Sequence, residues 1–278
     1  MASQPLTYIR IPEDYSNLSD AVDSIDTANV VILVREGTYN ESQQYAALYP
    51  PSICTNLTIR GYPNENRPLI NYTLFVSSLD LTLTLRWLRF EYYNPYFYTV
   101  QVAQAVGATH IVECVFVQGS GDGQGAVQGL RDGSTMRRNL FMGTGDPADK
   151  ASCVITQYRA AVEVENNVFD KWMAEGTLGL INSMAGEVNC NTFYKCSGSI
   201  HADNATANMV VSCTGSNPLF SAVPSGNTIN VYNNVYDTPN YVSAGSDTEL
   251  DPLLVDPEWG DFSLSDESPA GLRESPVT

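Results

Sequence analysis

The chain has 278 residues, of which 43% are hydrophobic and 16% charged, a balance typical of a folded protein rather than a disordered tail. Lys and Arg number 14 against 31 Asp and Glu, so the formal net charge is −17. This sign argues against binding to nucleic acid or to an anionic membrane, because both need a basic surface. No run of 18 uncharged apolar residues is present, so no membrane span is expected.

The N-terminal residues and the cysteines predict folding in a reducing compartment. Met1–Thr7 lacks the basic region and the apolar core of a signal peptide. Without a signal peptide, the six cysteines are predicted to be reduced: Cys54, Cys114, Cys153, Cys190, Cys196 and Cys213. Cys190 and Cys196 have no second close cysteine pair, so no metal site is predicted. We therefore expect assembly in a cytoplasm and exit only by lysis or a dedicated machine.

Residues 1–29 are predicted to form an N-terminal arm and a capping helix. Tyr15–Ile25 reads as a short amphipathic helix, because its apolar residues recur at helical spacing: Leu18, Ala21, Val22 and Ile25. Ser16 or Asn17 can cap its first turn. A stack of strands has an open edge at its end, and a helix laid across that edge would cover it.

Residues 30–242 are predicted to form a parallel β-helix. Val30–Val34, Leu57–Tyr62 and Leu79–Phe90 have the composition of strands. A short phrase that ends in an aromatic residue then recurs at steps of 26, 25, 28, 24 and 43, at Phe90, Phe116, Phe141, Phe169, Phe193 and Tyr236. A period near 25 residues indicates one strand-containing unit stacked on copies of itself.

Two further features of the repeat lead to expectations about its coils. Asn139, Asn167, Asn191 and Asn234 share one place in the phrase. They are predicted to form a stacked amide ladder at a corner, with ordinary turn chemistry as the alternative of equal weight. The long last step is explained by a degenerate coil around Met209–Cys213, in preference to an excursion from the stack.

Stretches near the start and at the end of the chain have distinctive sequences. The opening stretches are VVILVREGTY (30–39), LTIRGYPNENRPLI (57–70) and LTLRWLRFEYYN (83–94). The closing stretch DPLLVDP, then GDFSL and SPA, falls in residues 243–278, predicted as a C-terminal closing segment of the same domain. These stretches resemble the pectin-lyase-like superfamily of right-handed parallel β-helix proteins, and the resemblance spans most of residues 15–272. It implies an all-β, single-stranded right-handed parallel β-helix with a short capping helix, a fold shared by polysaccharide enzymes and by non-enzymatic phage virion proteins.

The sequence offers no strong catalytic motif. The signatures Asn-Thr-Asp, Asp-Asp, Gly-His-Gly and Arg-Ile-Lys of the family's hydrolases are absent, as is the lyase pattern Arg-x-Pro-x-x-Arg. What remains is a set of loop carboxylates near arginines: Asp122, Asp132, Asp146 and Asp149 with Arg131, Arg137, Arg138 and Arg159. They could stack as a glycosidase site, but we favour solvent-facing turn caps. No catalytic, cofactor-binding or metal-binding residue is predicted.

A tyrosine-rich segment is the other feature that suggests a function. Residues 90–98 contain six aromatics in nine positions, too many to point inward from one coil: Phe90, Tyr92, Tyr93, Tyr96, Phe97 and Tyr98. Such clusters mark interfaces or sugar-stacking platforms, while a local core under a loop is equally consistent. Tyr8, Tyr45, Tyr49 and Tyr62 belong to the same N-terminal third.

These features lead to three hypotheses. The first is a non-enzymatic structural protein of a virus particle, a bacteriophage capsid decoration (cement) protein that binds the shell protein through residues 90–98. Family habit and shell symmetry imply a homotrimer located on the virion. The alternative is a polysaccharide-degrading enzyme, such as a tailspike depolymerase, that uses Asp122, Asp132 and Asp146. The third is a carbohydrate-binding module that stacks sugars on Tyr92, Tyr93 and Tyr96.

Overall fold

A computed structural model describes most of the chain. The described residues are 5–40, 45–91, 98–103, 106–120, 125–149, 152–156, 160–174, 180–182, 186–198, 200–202, 204–213, 220–221, 230–232, 235–236, 248–249, 254–259 and 261–265. In the part of the chain so described, almost all regular structure is strand, and three long parallel sheets dominate it.

The strands belong to three sheets that run side by side along a β-solenoid. Sheet A contains β1 Thr7–Ile11, β2 Asn29–Val34, β5 Asn56–Gly61, β8 Thr82–Arg86, β11 Thr109–Val112, β14 Thr135–Arg137, β17 Glu163–Glu165, β20 Glu187–Asn189, β23 Asn204–Thr206 and β26 Asn230–Tyr232. Sheet B contains β3 Thr38–Tyr39, β6 Leu69–Ile70, β9 Arg89–Phe90, β12 Val115–Val117, β15 Leu140–Met142, β18 Val168–Asp170, β21 Thr192–Tyr194, β24 Met209–Val211, β27 Val235–Tyr236 and β28 Thr248–Glu249. Sheet C contains β4 Tyr45–Leu48, β7 Thr73–Val76, β10 Val100–Val102, β13 Gly125–Leu130, β16 Ser152–Thr156, β19 Ile181–Asn182, β22 Ile200–His201 and β25 Phe220–Ser221.

The chain passes from sheet A to sheet B to sheet C in each coil and then begins the next coil in sheet A. It therefore turns at three corners, here called the AB, BC and CA corners. Each strand pairs in parallel with the strand of the same sheet one coil further on. The predicted all-β parallel β-helix is confirmed, and its helical content is minor. The predicted arm contributes a strand of its own, because β1 pairs with β2 at the start of sheet A.

Alternating burial explains why these residues form strands. In β2 and β5 every second side chain is buried, and the inward row continues through the aligned residues Ile32, Ile59 and Leu85. Successive side chains of a strand point to opposite faces, so one face fills the core while the other meets water. Hydrophobic burial of this inward row stabilises every coil against its neighbours.

The recurring aromatic phrase forms a stack of rings on the inward face of sheet B. Phe90, Phe116, Phe141, Phe169 and Phe193 occupy aligned positions, and neighbouring ring centroids lie 5.0, 5.0, 4.7 and 4.8 Å apart with nearly parallel planes. This spacing matches the distance between adjacent strands, so the period of about 25 residues is one coil.

The predicted asparagine ladder is confirmed at the AB corner. The Asn139 amide nitrogen Nδ2 donates to Asn167 Oδ1 at 2.9 Å, Asn167 donates to Asn191 at 3.0 Å, and Asn191 donates to Asn208 at 3.1 Å. All four side chains are buried. Asn234, the fourth member predicted from the sequence, lies outside the described residues.

Asn208 enters this ladder because the predicted degenerate coil exists. β24, Met209–Val211, pairs with β21 on one side and with β27 on the other, so it fills the long step between Phe193 and Tyr236. Its sequence lacks the aromatic residue and places Val210 opposite Phe193. The repeat therefore continues through a coil that the aromatic phrase alone would miss.

The AB corner is built from left-handed residues that are not glycine. The residue before each of the four ladder asparagines has a positive φ: Arg138 55°, Asn166 53°, Cys190 56° and Ala207 54°. Glu113, which precedes Cys114 at the same place one coil earlier, has a φ of 57°. This conformation is costly for side chains with a Cβ atom. Glycine is therefore not required at this corner, where the buried amide ladder holds the turn.

A short helix, α1 Leu18–Asp23, covers the N-terminal edge of the stack. The Asn17 side chain is its N-cap and accepts a hydrogen bond from the Asp20 backbone N–H at 2.8 Å. Leu18, Ala21 and Val22 are buried in the main core, and the helix packs on β1 and β4. The predicted capping helix is confirmed, with Asn17 in place of the alternative cap Ser16.

The C-terminal segment folds into a hairpin that lies on the outer face of sheet B. β29 Leu254–Asp256 and β30 Asp261–Leu264 pair antiparallel around a 3₁₀ turn, Pro257–Trp259. Phe262 is buried against a cluster of outward side chains of sheet B, namely Val168, Tyr194 and Val211. Since apolar residues on an outer face need a cover, the hairpin explains why these coils carry them.

Most of the cysteines that the structure describes are buried. The side chains of five cysteines are thiols, and of these only Cys190 is exposed: Cys54, Cys114, Cys190, Cys196 and Cys213. The side chain of Cys153 lies outside the described residues.

Within the described ranges, no helix has the length and apolar character required to cross a membrane.

Candidate functional site

The carboxylates considered from the sequence are divided between two corners of the solenoid. Asp132 follows β13 at the CA corner, where its Oδ1 accepts from the Ala161 backbone N–H at 2.6 Å. Asp146 follows β15 at the BC corner, where its Oδ1 accepts from the Ala148 N–H at 2.9 Å. Asp146 caps its own turn, whereas Asp132 bonds to the backbone of the next coil. Both are exposed and lie at different corners, so the proposed set of three does not converge on one site. Asp122 lies outside the described residues.

The neighbouring cations have partners of their own. Arg137 forms ion pairs with Glu163 and with Glu165 along the outer face of sheet A. Arg138 pairs with Glu113 at 3.1 Å, and Arg131 donates to the Val106 carbonyl at 3.3 Å. Arg159 lies outside the described residues. These contacts bind coils to one another, because each joins residues one coil apart.

Both histidines lie on outer sheet faces. His110 in β11 shares a hydrogen bond of 3.0 Å between its Nδ1 and Thr135 Oγ1, and desolvation lowers its pKa. Desolvation also lowers the pKa of His201 in β22. In the described part of the chain, no three His, Cys, Asp or Glu side chains are grouped as metal ligands would be.

The tyrosine-rich segment is anchored at both ends in the core. Phe90 is a member of the ring stack, and Tyr98 is buried, which raises its pKa to about 12. Residues 92–97, including Tyr92, Tyr93 and Tyr96, lie outside the described residues. By position in the chain they connect β9 to β10 at the BC corner of the third coil.

Large apolar side chains are exposed at the start of sheet A and at the CA corner of the first coils. Leu6 directly precedes β1, while Ile53 and Leu79 each stand three residues before a strand of sheet A, β5 and β8. Tyr8 is exposed beside them on β1. We call these four residues the N-terminal ridge: Leu6, Tyr8, Ile53 and Leu79. Four large exposed apolar residues within the first coils support a contact surface at this end of the rod.

A groove of about 260 Å³ lies on the outer face of sheet C in the same coils. Tyr45, the first residue of β4, and Tyr49, just after β4, line the groove on either side of Ala47. The side chain of Ala47 is small, so the space between the two tyrosines is open. Phe75 and Gln101, aligned with Ala47 on β7 and β10, continue its floor. Of the four N-terminal tyrosines, Tyr45 and Tyr49 therefore come together, while Tyr8 belongs to the ridge and Tyr62 lies under the Arg35 guanidinium.

The C-terminal hairpin presents a single exposed indole. Trp259, in the 3₁₀ turn, is 89% exposed, although the turn itself is fixed to the solenoid. Glu258 pairs with Lys171 at 2.9 Å and with Lys195, and its Oε1 accepts from the Tyr194 hydroxyl at 2.7 Å. These hydrogen bonds lower the pKa of Glu258 to about 2, and the bond with Lys195 has the largest effect.

Comparison with known proteins adds no identity: no protein-family model matches the chain, and no curated protein is similar to it.

The sequence indicated the N-terminal third as a contact region but missed most of the residues that form it. Ile53 and Leu79 stand in turns, where a hydrophobic pattern has no period to reveal them. β4 was not predicted, so the alternation of Tyr45, Ala47 and Tyr49 on its outer face was not recognised. That alternation was the available signal, because period two is the mark of a strand.

Proposed function

We propose that this chain is a non-enzymatic structural protein of a virus particle, a bacteriophage capsid decoration protein that binds the outer shell. In this proposal it is a member of the pectin-lyase-like superfamily, nearest to the virion proteins of that group, and it resides on the virion. Its partner is the capsid shell protein, contacted by the N-terminal end of the rod.

The observation that carries the proposal is the N-terminal ridge. Leu6, Tyr8, Ile53 and Leu79 are all exposed and belong to the first coils, at the end of the rod capped by α1. Exposed apolar residues gathered in one region support a protein contact. Phe90, where the tyrosine-rich segment of the sequence begins, belongs to the third coil.

The ladders support a mechanical role. Rings and amides repeat from coil to coil through the core, with ring centroids at most 5.0 Å apart and amide contacts of 2.9–3.1 Å. Each coil is thus bonded to the next by backbone, amide and aromatic contacts at once. Such a rod suits a protein that must remain folded on the outside of a particle.

A binding experiment with matched variants tests the proposal. Particles from the native source are incubated with tagged wild-type chain or with the double variant Ile53→Asp and Leu79→Asp, and bound protein is measured after sedimentation. We expect at least about a tenfold loss of binding for the double variant, since two buried apolar contacts become unpaired charges.

Val255→Asp is the control, because Val255 is an equally exposed apolar residue on the C-terminal hairpin, far along the chain from the ridge. It should bind like the wild type. Equal binding of the double variant and the wild type would remove the ridge from the proposed interface. No binding of the wild type to any particle would contradict the proposed function.

A further inference from the structure

We propose that the outer side of the AB corner, in the second to fifth coils, is a binding site for a phosphate group. Four arginines form the site, and we call them the arginine cluster: Arg60, Arg67, Arg86 and Arg138. The inference does not depend on the proposed function, because the cluster lies at or beyond the ends of sheet A strands, whereas the N-terminal ridge lies at or before their beginnings.

Three members of the cluster converge on one glutamate. The Arg86 Nε donates to Glu113 Oε2 at 2.7 Å, and the Arg138 Nη2 lies 3.1 Å from Glu113 Oε1. The Arg67 Nε donates to the backbone carbonyl of Glu113 at 3.0 Å. With the coil that begins at β2 counted as the first, these arginines come from the second, third and fifth coils, and Glu113 belongs to the fourth. The stacking of coils therefore gathers them at one place on the surface.

Arg60 adds a positive charge that no carboxylate balances. It is aligned with Arg86 on the neighbouring strands β5 and β8, so the two backbones are about 4.8 Å apart. The Arg60 Nε donates to the Gly61 carbonyl at 3.3 Å, and among the residues that the structure describes no carboxylate forms an ion pair with Arg60. Two guanidinium groups held side by side repel each other, and an anion placed between them removes that repulsion.

The cluster is a positive patch on an acidic protein. Its four guanidinium groups share the single carboxylate of Glu113, which leaves a local excess of three positive charges. Other glutamates nearby in the stack already pair with arginines outside the cluster: Glu65 with Arg35, and Glu165 with Arg137. The chain as a whole has a net charge of −17, so this concentration of positive charge is a local feature that attracts an anion.

The outer ends of these guanidinium groups are available to a ligand. No Nη nitrogen of Arg60, Arg67 or Arg86 forms a hydrogen bond with a residue that the structure describes. Each of these nitrogens carries two N–H donors. The side chains of Arg86 and Arg138 are 43% and 50% exposed, so an anion reaches them from solvent.

The orientation of Arg67 is fixed before any ligand binds. Its guanidinium lies 3.8 Å from the centre of the Trp87 ring, and the Trp87 Nε1 donates to the Glu65 carbonyl at 3.0 Å. The hydrogen bond from Arg67 to Glu113 holds the other side of the group. A side chain held in this way loses little conformational entropy on binding, which favours its use in a site.

Phosphate fits the cluster better than a carboxylate does. A phosphate monoester has a charge of about −1.5 to −2 at neutral pH and three strong acceptor oxygens. Donors that arrive from several coils can each reach a different oxygen of a tetrahedral group, and arginine binds phosphate through two parallel hydrogen bonds. A carboxylate has one charge and two oxygens, and Glu113 already supplies one. The ligand is therefore a phosphate group, either a free ion or an ester on a larger molecule.

The test is isothermal titration calorimetry of the full chain with inorganic phosphate at neutral pH and fixed ionic strength. The wild type should bind, and the double variant Arg60→Gln and Arg86→Gln should raise the dissociation constant at least about tenfold, because two charge-assisted donors are lost. The double variant should stay folded, since Glu113 keeps its ion pair with Arg138. Arg131→Gln is the control: it removes one positive charge at the CA corner and should bind phosphate like the wild type.

Two further probes identify the ligand class. Glycerol phosphate carries the group on a larger molecule: tighter binding than that of inorganic phosphate supports an ester as the ligand, and weaker binding supports the free ion. Acetate at the same ionic strength should bind at least about tenfold more weakly than phosphate, because it brings a single charge. Acetate binding as tight as phosphate binding would assign the corner to an acidic protein segment instead. That result, no binding of either phosphate compound, or an unchanged dissociation constant in the double variant would overturn the proposal.

Discussion

At the scale of the residue, the buried amide ladder is the contact on which the coils depend most. Asn167 donates to the Met136 carbonyl at 2.9 Å and to Asn191 at 3.0 Å, and its Oδ1 accepts from the Asn139 backbone N–H and side chain. The Asn167 side chain therefore forms hydrogen bonds with groups of its own coil's neighbours on both sides, and it is buried. Its removal leaves several buried polar groups unpaired.

Asn167→Ala is expected to lower the free energy of unfolding by about 4 kcal/mol, measured by urea denaturation. The matched control is Asn71→Ala, which removes an exposed amide contact with Asn40 at 2.8 Å and should cost no more than about 0.5 kcal/mol. Similar losses of unfolding free energy in the two variants would show that burial of the ladder adds nothing to the stability of the protein.

At the left-handed AB corner, one substitution is predicted to raise the free energy of unfolding rather than lower it. Ala207 is exposed and has a φ of 54°, a conformation that glycine adopts without penalty. Ala207→Gly should therefore raise the free energy of unfolding by about 0.5–1 kcal/mol, even though it removes a methyl group. Ala28→Gly, at a position without positive φ, should lower it by up to about 1 kcal/mol in the same denaturation experiment.

At the scale of the element, the docking of the C-terminal hairpin is predicted to depend on acid. The pKa of Glu258 is about 2 in the folded protein, below its ordinary value of 4.5. A depressed folded pKa means that the stabilising contribution is fully present above pH 4.5 and is lost as the pH falls through about 2. The hairpin should therefore loosen between these values while the core coils stay folded.

Hydrogen exchange of residues 254–264, corrected for the intrinsic rate at each pH, measures this loosening. In Glu258→Gln the amides of residues 254–264 should exchange faster at neutral pH. The increase in their exchange as the pH falls from 4.5 to about 2, which we call the docking step, should be absent. Asp261→Asn is the control, because Asp261 accepts only from Ser263 within the hairpin itself and should keep that step. An unchanged acid response in Glu258→Gln would refute the assignment of the step to this residue.

The elements show where sequence reasoning succeeds and where it does not. The aromatic phrase predicted the coils from Phe90 to Phe193 because each phrase ends at an inward position of sheet B. Strands such as β4 and β19 were not predicted, since they have few residues and no conspicuous composition. Short strands depend on pairing with neighbours that are distant in the sequence, and local patterns do not record that pairing.

At the scale of the whole molecule, contact surfaces were harder to predict than the fold. The ridge residues Leu6, Ile53 and Leu79 are far apart in the sequence and belong to one end of the rod only because successive coils stack. Asp132 and Asp146 are 14 residues apart in sequence, yet the solenoid places them at different corners. Position around the coil, rather than separation along the chain, decides which side chains can act together.

The whole rod combines a core of stacked ladders with an exposed apolar ridge at its N-terminal end. We propose this ridge as the surface that binds the shell. Because the ridge residues are apolar, the proposed contact should depend little on ionic strength.

The most direct test of the central claim, that this chain is a virion protein, is density-gradient fractionation of a lysate of the native source, with the chain and the major shell protein quantified in every fraction. The account predicts that the chain sediments with large particles at a fixed ratio to the shell protein. Recovery of the chain only in the soluble fractions, with the particles intact, would contradict it.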